Sequence, residues 1–388
     1  MHEETRINST LWTELDNTPA TTINPPLYRG STVLFKNYAE MCEVDHHQFS
    51  GITYGTDRLP TQRQFEEAMR RLEGAALTRI CPSGIDAIRT ALMTFLKAGD
   101  HLIVCDNVYM TGQHFCSTVL KKFGVETTAV PANIAGDIEK YIRPNTAAIL
   151  LESPGSITME LQDIPAVCAV AKKHGIVTLI DNTWATPLYL DPFTLGVDVT
   201  IHSLTKYICG YSDVLAGTVS TNAEHAETLD EFYKTMEIYT PAEDCSLALR
   251  GLHTLEVRLS RHAESALQIA RWLETHSLVE NVLHPALESH PEHQLWKRDF
   301  TGAAGLFAFT LKKDCSEEDL GTFIDHLQLF HLGYSWGGYK SLLTAAKVNR
   351  QTNSRYAGKT IIRLNIGLEN VDDLQQDLEA GLAQLQEL

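Results

Sequence analysis

Short apolar runs alternate with amphipathic stretches through the middle of the chain. The runs at 101–105 (HLIVC), 125–130 (VETTAV), 147–153 (AAILLES) and 176–181 (IVTLID) read as strands, most of them buried. Helical periodicity marks 64–72 (QFEEAMRRL), closed by Gly74 as a C-cap, then 85–96, 115–124 and 165–175. Strand-like runs separated by helices predict βαβ units and a mostly parallel sheet. Ligands of such sheets gather at the carboxyl ends of the strands, so the residues just after each run are the ones to inspect. From about residue 250 the texture changes. One long amphipathic helix is expected over 250–276, then strands at 305–312 (GLFAFTLK) and 360–366 (TIIRLNI), and a closing helix at 371–386.

A chain of 388 residues exceeds the ~250–300 residues that one hydrophobic core usually serves. The expected division is a polar, turn-rich N-terminal arm over 1–55, an α/β domain over 56–250 and an α+β domain over 251–388. Charged residues make up 21% and the formal net charge is −17, which disfavours nucleic acid and anionic membrane surfaces as partners. The eight cysteines form no CxxC pair, so zinc-ribbon and thioredoxin spacings are absent. No run approaches the ~20 apolar residues of a membrane span, and the first ten residues lack an apolar signal core. A cytosolic protein with reduced thiols is expected, in which the sequon at Asn8 is coincidental.

Chemistry concentrates at a few strand ends. His202-Ser-Leu-Thr-Lys206 follows the run VDVTI and sets a lysine beside two hydroxyls, Ser203 and Thr205. A free lysine, with a pKa of ~10.4, is a poor nucleophile; held as an imine with an aldehyde cofactor it loses that limitation. The same stretch is also compatible with a surface lysine. Asp181 ends a buried run, where a carboxylate is costly unless paired; it suits either a helix cap or a partner for a protonated ring nitrogen. Gly84 and Ile85 open a helix after Cys81-Pro-Ser, where free N–H groups can bind phosphate or simply start the helix. Tyr109 follows HLIVCDNV and could stack on a ring. Arg363 lies in a strand of the second domain and could grip a carboxylate. Two other signals fail: Gly358-Lys-Thr has Asn353 where a P-loop needs glycine, and His46-His47 lacks a metal-ligand partner.

Together these residues resemble the Cys/Met-metabolism family of fold-type-I pyridoxal enzymes, nearest to its β-lyases that act on cystathionine. Ordered blocks carry the resemblance: TYG at 53–55, LESPGSITME at 151–160, IDNTWA at 180–185, TKY at 205–207, WKRDFTG at 296–302, YSWGGY at 334–339 and IRLNIGLENVDDL at 362–374. The resemblance implies pyridoxal 5′-phosphate bound covalently through Lys206, with Asp181 at the ring nitrogen and Tyr109 stacked on the ring. It implies phosphate contacts from Gly84, Ile85, Ser203 and Thr205, and Tyr54 reaching in from a neighbouring subunit. Ser335 and Arg363 would hold the substrate carboxylate, with Trp336 and Tyr334 beside them. The implied activity is carbon–sulfur β-elimination in a homotetramer with shared sites. Two positions depart from the family: Thr56 stands where a phosphate-binding arginine is usual, and Lys340 replaces a glutamate. Arg58 is the candidate to replace that arginine across a subunit interface.

Overall fold

The computed structural model describes Thr5 and residues 22–45, 51–350, 352 and 355–386. Asn8, His46, His47 and Asn353 lie outside the described residues. Two sheets organise the chain. The larger has seven strands: β1 (Leu77–Cys81), β2 (His101–Cys105), β3 (Glu126–Val130), β4 (Thr146–Glu152), β5 (Val177–Asp181), β6 (Val199–Ser203) and β7 (Gly217–Thr221), in the order β1-β7-β6-β5-β4-β2-β3. Every pairing is parallel except those of β7, which runs antiparallel between β1 and β6. The carboxyl ends of the other six strands therefore face one edge. β2, β4 and β5 emerge close to the bounds expected from their apolar runs. β1 and β7 do not announce themselves: LTRIC and GTVST are fully or nearly buried, but their threonines, glycine and arginine mask the apolar signal.

Helices start and stop on local chemistry. Ser83 caps the helix Gly84–Phe95 by accepting the Asp86 N–H, and Asp163 caps Ile164–His174 by accepting the Ala166 N–H; each satisfies one of the donors a helix leaves free at its start. Gly74, with φ 68°, closes Pro60–Glu73. Two helical expectations need correction. The helix read at 115–124 starts earlier, at Met110, and passes into a π-helical turn over Cys116–Leu120. The single helix read at 250–276 is two, Ala242–Leu252 and Leu255–Thr275, parted at His253-Thr254; amphipathic periodicity runs through a break of two residues without losing its phase.

The second sheet holds β8 (Val279–Leu283), β9 (Leu306–Leu311), β10 (His331–Leu332), β11 (Leu342–Lys347) and β12 (Thr360–Asn365), in the order β10-β11-β12-β9-β8. Its strands obey the two-residue period of a pleated sheet. On β9, Phe307 and Phe309 join a core with Phe323 and Leu378, whereas Leu306 and Ala308 join the core of the large sheet. On β12, Ile362 and Leu364 face the smaller core and Ile361 the larger. Arg363 shares the face of Ile361, so alternation alone turns it toward the large sheet.

Candidate active site

Six loops leave the carboxyl edge of the large sheet, and several bring polar groups to one place. After β6, the amine Nζ of Lys206 donates to Ser335 Oγ at 3.0 Å and lies 5.5 Å from the centre of the Trp336 ring. Burial, and secondly the Arg363 guanidinium, push the amine down to about 8, with Asp181 pulling the other way. A lysine in that state is a usable base near neutral pH.

Asp181, last residue of β5, is buried. Its described hydrogen bonds both fall on Oδ1, from the Thr183 N–H at 3.0 Å and the Thr183 hydroxyl at 2.5 Å, leaving Oδ2 for a further donor. Burial raises its proton affinity, while Thr183, His202 and Lys206 oppose that rise. Thr183 Oγ1 also accepts the Ser203 N–H at 2.8 Å, which fixes β5 and β6 relative to each other at the site. On the neighbouring strand Glu152 ends β4, directly paired with Asp181 across the sheet. Its Oε2 accepts the Tyr109 N–H at 2.6 Å and its Oε1 meets the Ser156 hydroxyl.

The helix start at Gly84 and the turn after β6 press together. A Cβ at Gly84 would lie 2.5 Å from Ser203 Oγ, so only glycine lets the helix N-terminus approach Ser203 that closely. Ser83 engages the Asp86 N–H, and the N–H groups of Gly84 and Ile85 come before it in the first turn. Thr205 Oγ1 bonds with the Ala216 backbone. Helix N–H groups beside hydroxyls make an anion cradle.

The second sheet supplies the opposite wall. Arg363 donates to the Ser156 carbonyl at 3.1 Å and to the Tyr334 carbonyl at 2.9 Å. The Tyr334 ring itself is 94% exposed, while Trp336 is buried and packs edge-on against Tyr207. The loop turns just after Trp336 at Gly337, whose φ is 80° and where a Cβ would meet the Tyr207 nitrogen at 2.8 Å. Asn365 holds this loop, accepting the Gly337 N–H and donating to the Lys340 carbonyl.

The structure thus brings Lys206, Asp181, Ser203, Gly84, Ser335, Trp336 and Arg363 together, with Tyr109 half-exposed at the mouth. Tyr54 is 48% exposed and bridges to Thr32 within the arm. Arg58 lies in the turn just before the helix Pro60–Glu73. Its guanidinium pairs with Glu66 at 3.5 Å and Asp230 at 3.3 Å in its own chain, and only 13% of its side chain is exposed. Sequence reasoning missed Glu152, Thr183 and Asn365. The first ends an apolar run and the second follows Asp181 by two residues, so both lay where the strand-end rule points; Asn365 gave no such signal.

These residues fit pyridoxal phosphate. A half-buried lysine with a lowered proton affinity, a buried aspartate with one oxygen left for a donor, and an anion cradle that a Cβ would fill match an aldehyde, a ring nitrogen and a phosphate. A large, mostly parallel sheet with a lysine just beyond one strand end and a carboxylate ending the next defines a PLP-dependent enzyme of fold type I. The chain belongs to the Cys/Met metabolism PLP-dependent enzyme family, which it matches over residues 10–383. It is 40% identical to the cystathionine beta-lyase of Escherichia coli (strain K12), over 94% of both chains. It is 39% identical to an L-alanine/L-glutamate racemase of Wolbachia pipientis wMel, covering 94% of this chain and 93% of the racemase. Among solved structures, a cystathionine gamma-lyase from Lactobacillus plantarum complexed with L-serine superposes with a TM-score of 0.87 at 28% identity, over the whole of both chains.

Proposed function

We propose that this chain is a carbon–sulfur β-lyase that cleaves cystathionine or related cysteine S-conjugates to a thiol, pyruvate and ammonia. The observation that carries the reading is the juxtaposition of Lys206 and Arg363, two half-buried cations that meet at one loop: the amine bonds the Ser335 hydroxyl, the guanidinium bonds the Tyr334 carbonyl just before it, and the guanidinium disfavours the amine's charge. One amino-acid substrate reconciles them: its carboxylate pairs with Arg363 and Ser335, and its α-carbon then lies beside the Lys206 amine. Pyridoxal phosphate, when bound, supplies the electron sink for negative charge developed at that carbon. Lys206 takes the α-proton, the Cβ–S bond breaks, and the proton is returned to the departing sulfur. The freed enamine hydrolyses in water to pyruvate and ammonia.

Asp181 Oδ2 is assigned to the ring nitrogen, Tyr109 to the ring face, and Gly84, Ile85, Ser203 and Thr205 to the phosphate. Tyr54 is assigned to a partner subunit's site in a homotetramer. Arg58 is assigned to anchoring the Tyr54 loop, because Glu66 and Asp230 hold its guanidinium and little of its side chain is exposed; a contact with the phosphate of a neighbouring subunit's site is the alternative that an Arg58 variant tests. The chain is assigned an N-terminal arm over 1–55, an α/β domain over 56–250 and an α+β domain over 251–388.

β-Elimination is favoured by the Escherichia coli relative and by the bulk of Trp336, a buried ring whose centre stands 5.5 Å from the Lys206 amine. Racemisation begins with the same α-proton transfer, as the Wolbachia relative's name illustrates. The test is purified holoenzyme with L-cystathionine, scoring pyruvate against 2-oxobutanoate. Pyruvate in large excess is expected; 2-oxobutanoate as the main product, or neither with D-alanine formed from L-alanine, would replace the reading.

A further inference from the structure

One buried acid at the site has no task in the chemistry above. Glu152 is 7% exposed, with little solvent to share its charge, and its cross-strand partner is a second buried carboxylate, Asp181. Glu152 is also a junction. Through Oε2 it holds the Tyr109 N–H, and through its backbone carbonyl it accepts Asn107 Nδ2 at 3.3 Å, two residues before Tyr109. Through Oε1 it meets Ser156, whose carbonyl accepts Arg363 Nη1. The loop that presents Tyr109 and the loop that receives Arg363 are therefore tied through this side chain, beside a direct bond from the Ser156 N–H to the Asn107 carbonyl at 3.2 Å.

Two carboxylates at the ends of adjacent strands repel each other strongly when both ionise in a low-dielectric setting. The groups facing the pair divide unevenly. Asp181 has the Thr183 N–H and hydroxyl, with His202 and Lys206 nearby. Glu152 has the Tyr109 N–H and Ser156, with Arg350 and Arg363 as the cations in reach. Burial first, then Asp181, push Glu152 up to about 8. The Tyr109 N–H and the Ser156 hydroxyl both donate to Glu152 and favour its charge, but with Arg350 they do not offset burial and the neighbouring Asp181 carboxylate.

We propose that Glu152 is a positioning residue that works as a neutral carboxylic acid, tying the Tyr109 loop to the Ser156–Arg363 grip while leaving the negative charge of the pair to Asp181. The inference rests on the reading of this pocket as a pyridoxal-phosphate site, but its test does not need the lyase activity.

The measurements are thermal unfolding of apoprotein across pH and titration of apoprotein with pyridoxal 5′-phosphate, for wild type, E152Q and E152A. Folded Glu152 keeps its proton up to about 8, whereas the unfolded residue releases it near 4.5. Between those values the folded state binds more protons, so this group's contribution makes wild-type stability fall as pH rises. E152Q cannot titrate. The difference in Tm, E152Q minus wild type, is therefore expected to grow from pH 4.5 to pH 8 and level off beyond. An amide keeps the acceptor for the Tyr109 N–H and can donate to Ser156 Oγ in place of accepting from it, so E152Q is expected to keep the cofactor Kd within about threefold of wild type, while E152A, lacking the acceptor for Tyr109, weakens it by about tenfold. A Tm difference that stays flat with pH would overturn the neutral acid. A Kd that rises as far in E152Q as in E152A would overturn the positioning role through hydrogen bonds. If E152A does not fold, E152Q decides alone: a flat Tm difference or a loss of cofactor affinity of about tenfold overturns the proposal. Wild-type protein that bound cofactor but released no pyruvate would overturn the lyase reading and leave these results standing.

Discussion

Lys206 illustrates how far a residue's chemistry depends on its surroundings. In the sequence it is one of many lysines; in the fold, burial and Arg363 lower its amine to about 8. The sign of the consequence follows from linkage. Between about 8 and its ordinary value of 10.5, the folded state binds fewer protons than the unfolded one at this residue. Its charge therefore destabilises the apoprotein fully below pH 8, and that cost fades as pH rises toward 10.5. Lys206→Met in the apoprotein is expected to raise Tm at about pH 7, with the advantage over wild type shrinking as pH climbs from 8 to 10.5. Thermal melts in a pH series check this; an advantage that holds constant across that range would show that the amine is not depressed. Legibility at this scale was partial. The positions of Lys206 and Asp181 after apolar runs were visible, because strand ends are marked by hydrophobicity. The bond from Lys206 to Ser335, 129 residues away, was not, because nothing local encodes it.

Elements place these residues, and two of them carry testable packing. The helix Gly84–Phe95 abuts β6 so closely that an alanine Cβ at 84 would lie 2.5 Å from Ser203 Oγ and 2.6 Å from Ser203 Cβ. Gly84→Ala should destabilise by about 1–3 kcal/mol, the usual cost of overpacking, and should weaken cofactor binding because the cradle widens. Calorimetry and apoprotein titration read the two effects, and an unchanged cofactor Kd would take Gly84 out of the cradle. At the start of the helix Pro60–Glu73, Arg58 adopts φ 65° and joins Arg79 in neutralising Glu66 and Asp230. Glu66 is buried, and the cost of that burial raises its proton affinity against the pull of both arginines. Arg58→Ala leaves Arg79 in place, so a loss of about 1–3 kcal/mol is expected, below the roughly 3–5 kcal/mol of stripping a buried charge of all its partners. Cofactor Kd should stay within about threefold; a weakening of about tenfold would return Arg58 to the phosphate role that its place in the sequence suggested. Elements with a clean apolar period were legible. β7 was not, because Thr and Gly in GTVST become a central buried strand only through pairing with β1 and β6.

At the scale of the whole molecule the site exists where the two sheets meet. Arg363 belongs to β12 of the smaller sheet, yet its guanidinium ends on Ser156, in the loop after β4 of the larger one. Arg363→Met should raise the substrate KM by about tenfold to a hundredfold, the worth of a charge-assisted hydrogen bond at roughly 1.5–3 kcal/mol, with a smaller effect on kcat. Steady-state kinetics with cystathionine check this, and a fall in kcat with unchanged KM would move Arg363 from holding substrate to the chemical step. Among the described residues no helix is long and apolar enough to cross a membrane.

Read as a string, the chain already specifies the alternation of strands and helices, the strand ends where chemistry sits, and the ordered motifs that mark the family. These are local or near-local properties, set by periodicity, turn chemistry and short blocks of residues. Folding in three dimensions was needed to settle which strand ends are neighbours, so that Glu152 pairs with Asp181, and which distant loop closes over Lys206. It also set Glu66 and Asp230 beside Arg58, partners that its position two residues past Thr56 did not announce. The reason is the same in each case. Hydrophobic period fixes what is buried, but the partner of a buried charge is whichever opposite or polar group the folded chain brings within about 4 Å, and that choice is made by sheet order and by loops far apart in sequence.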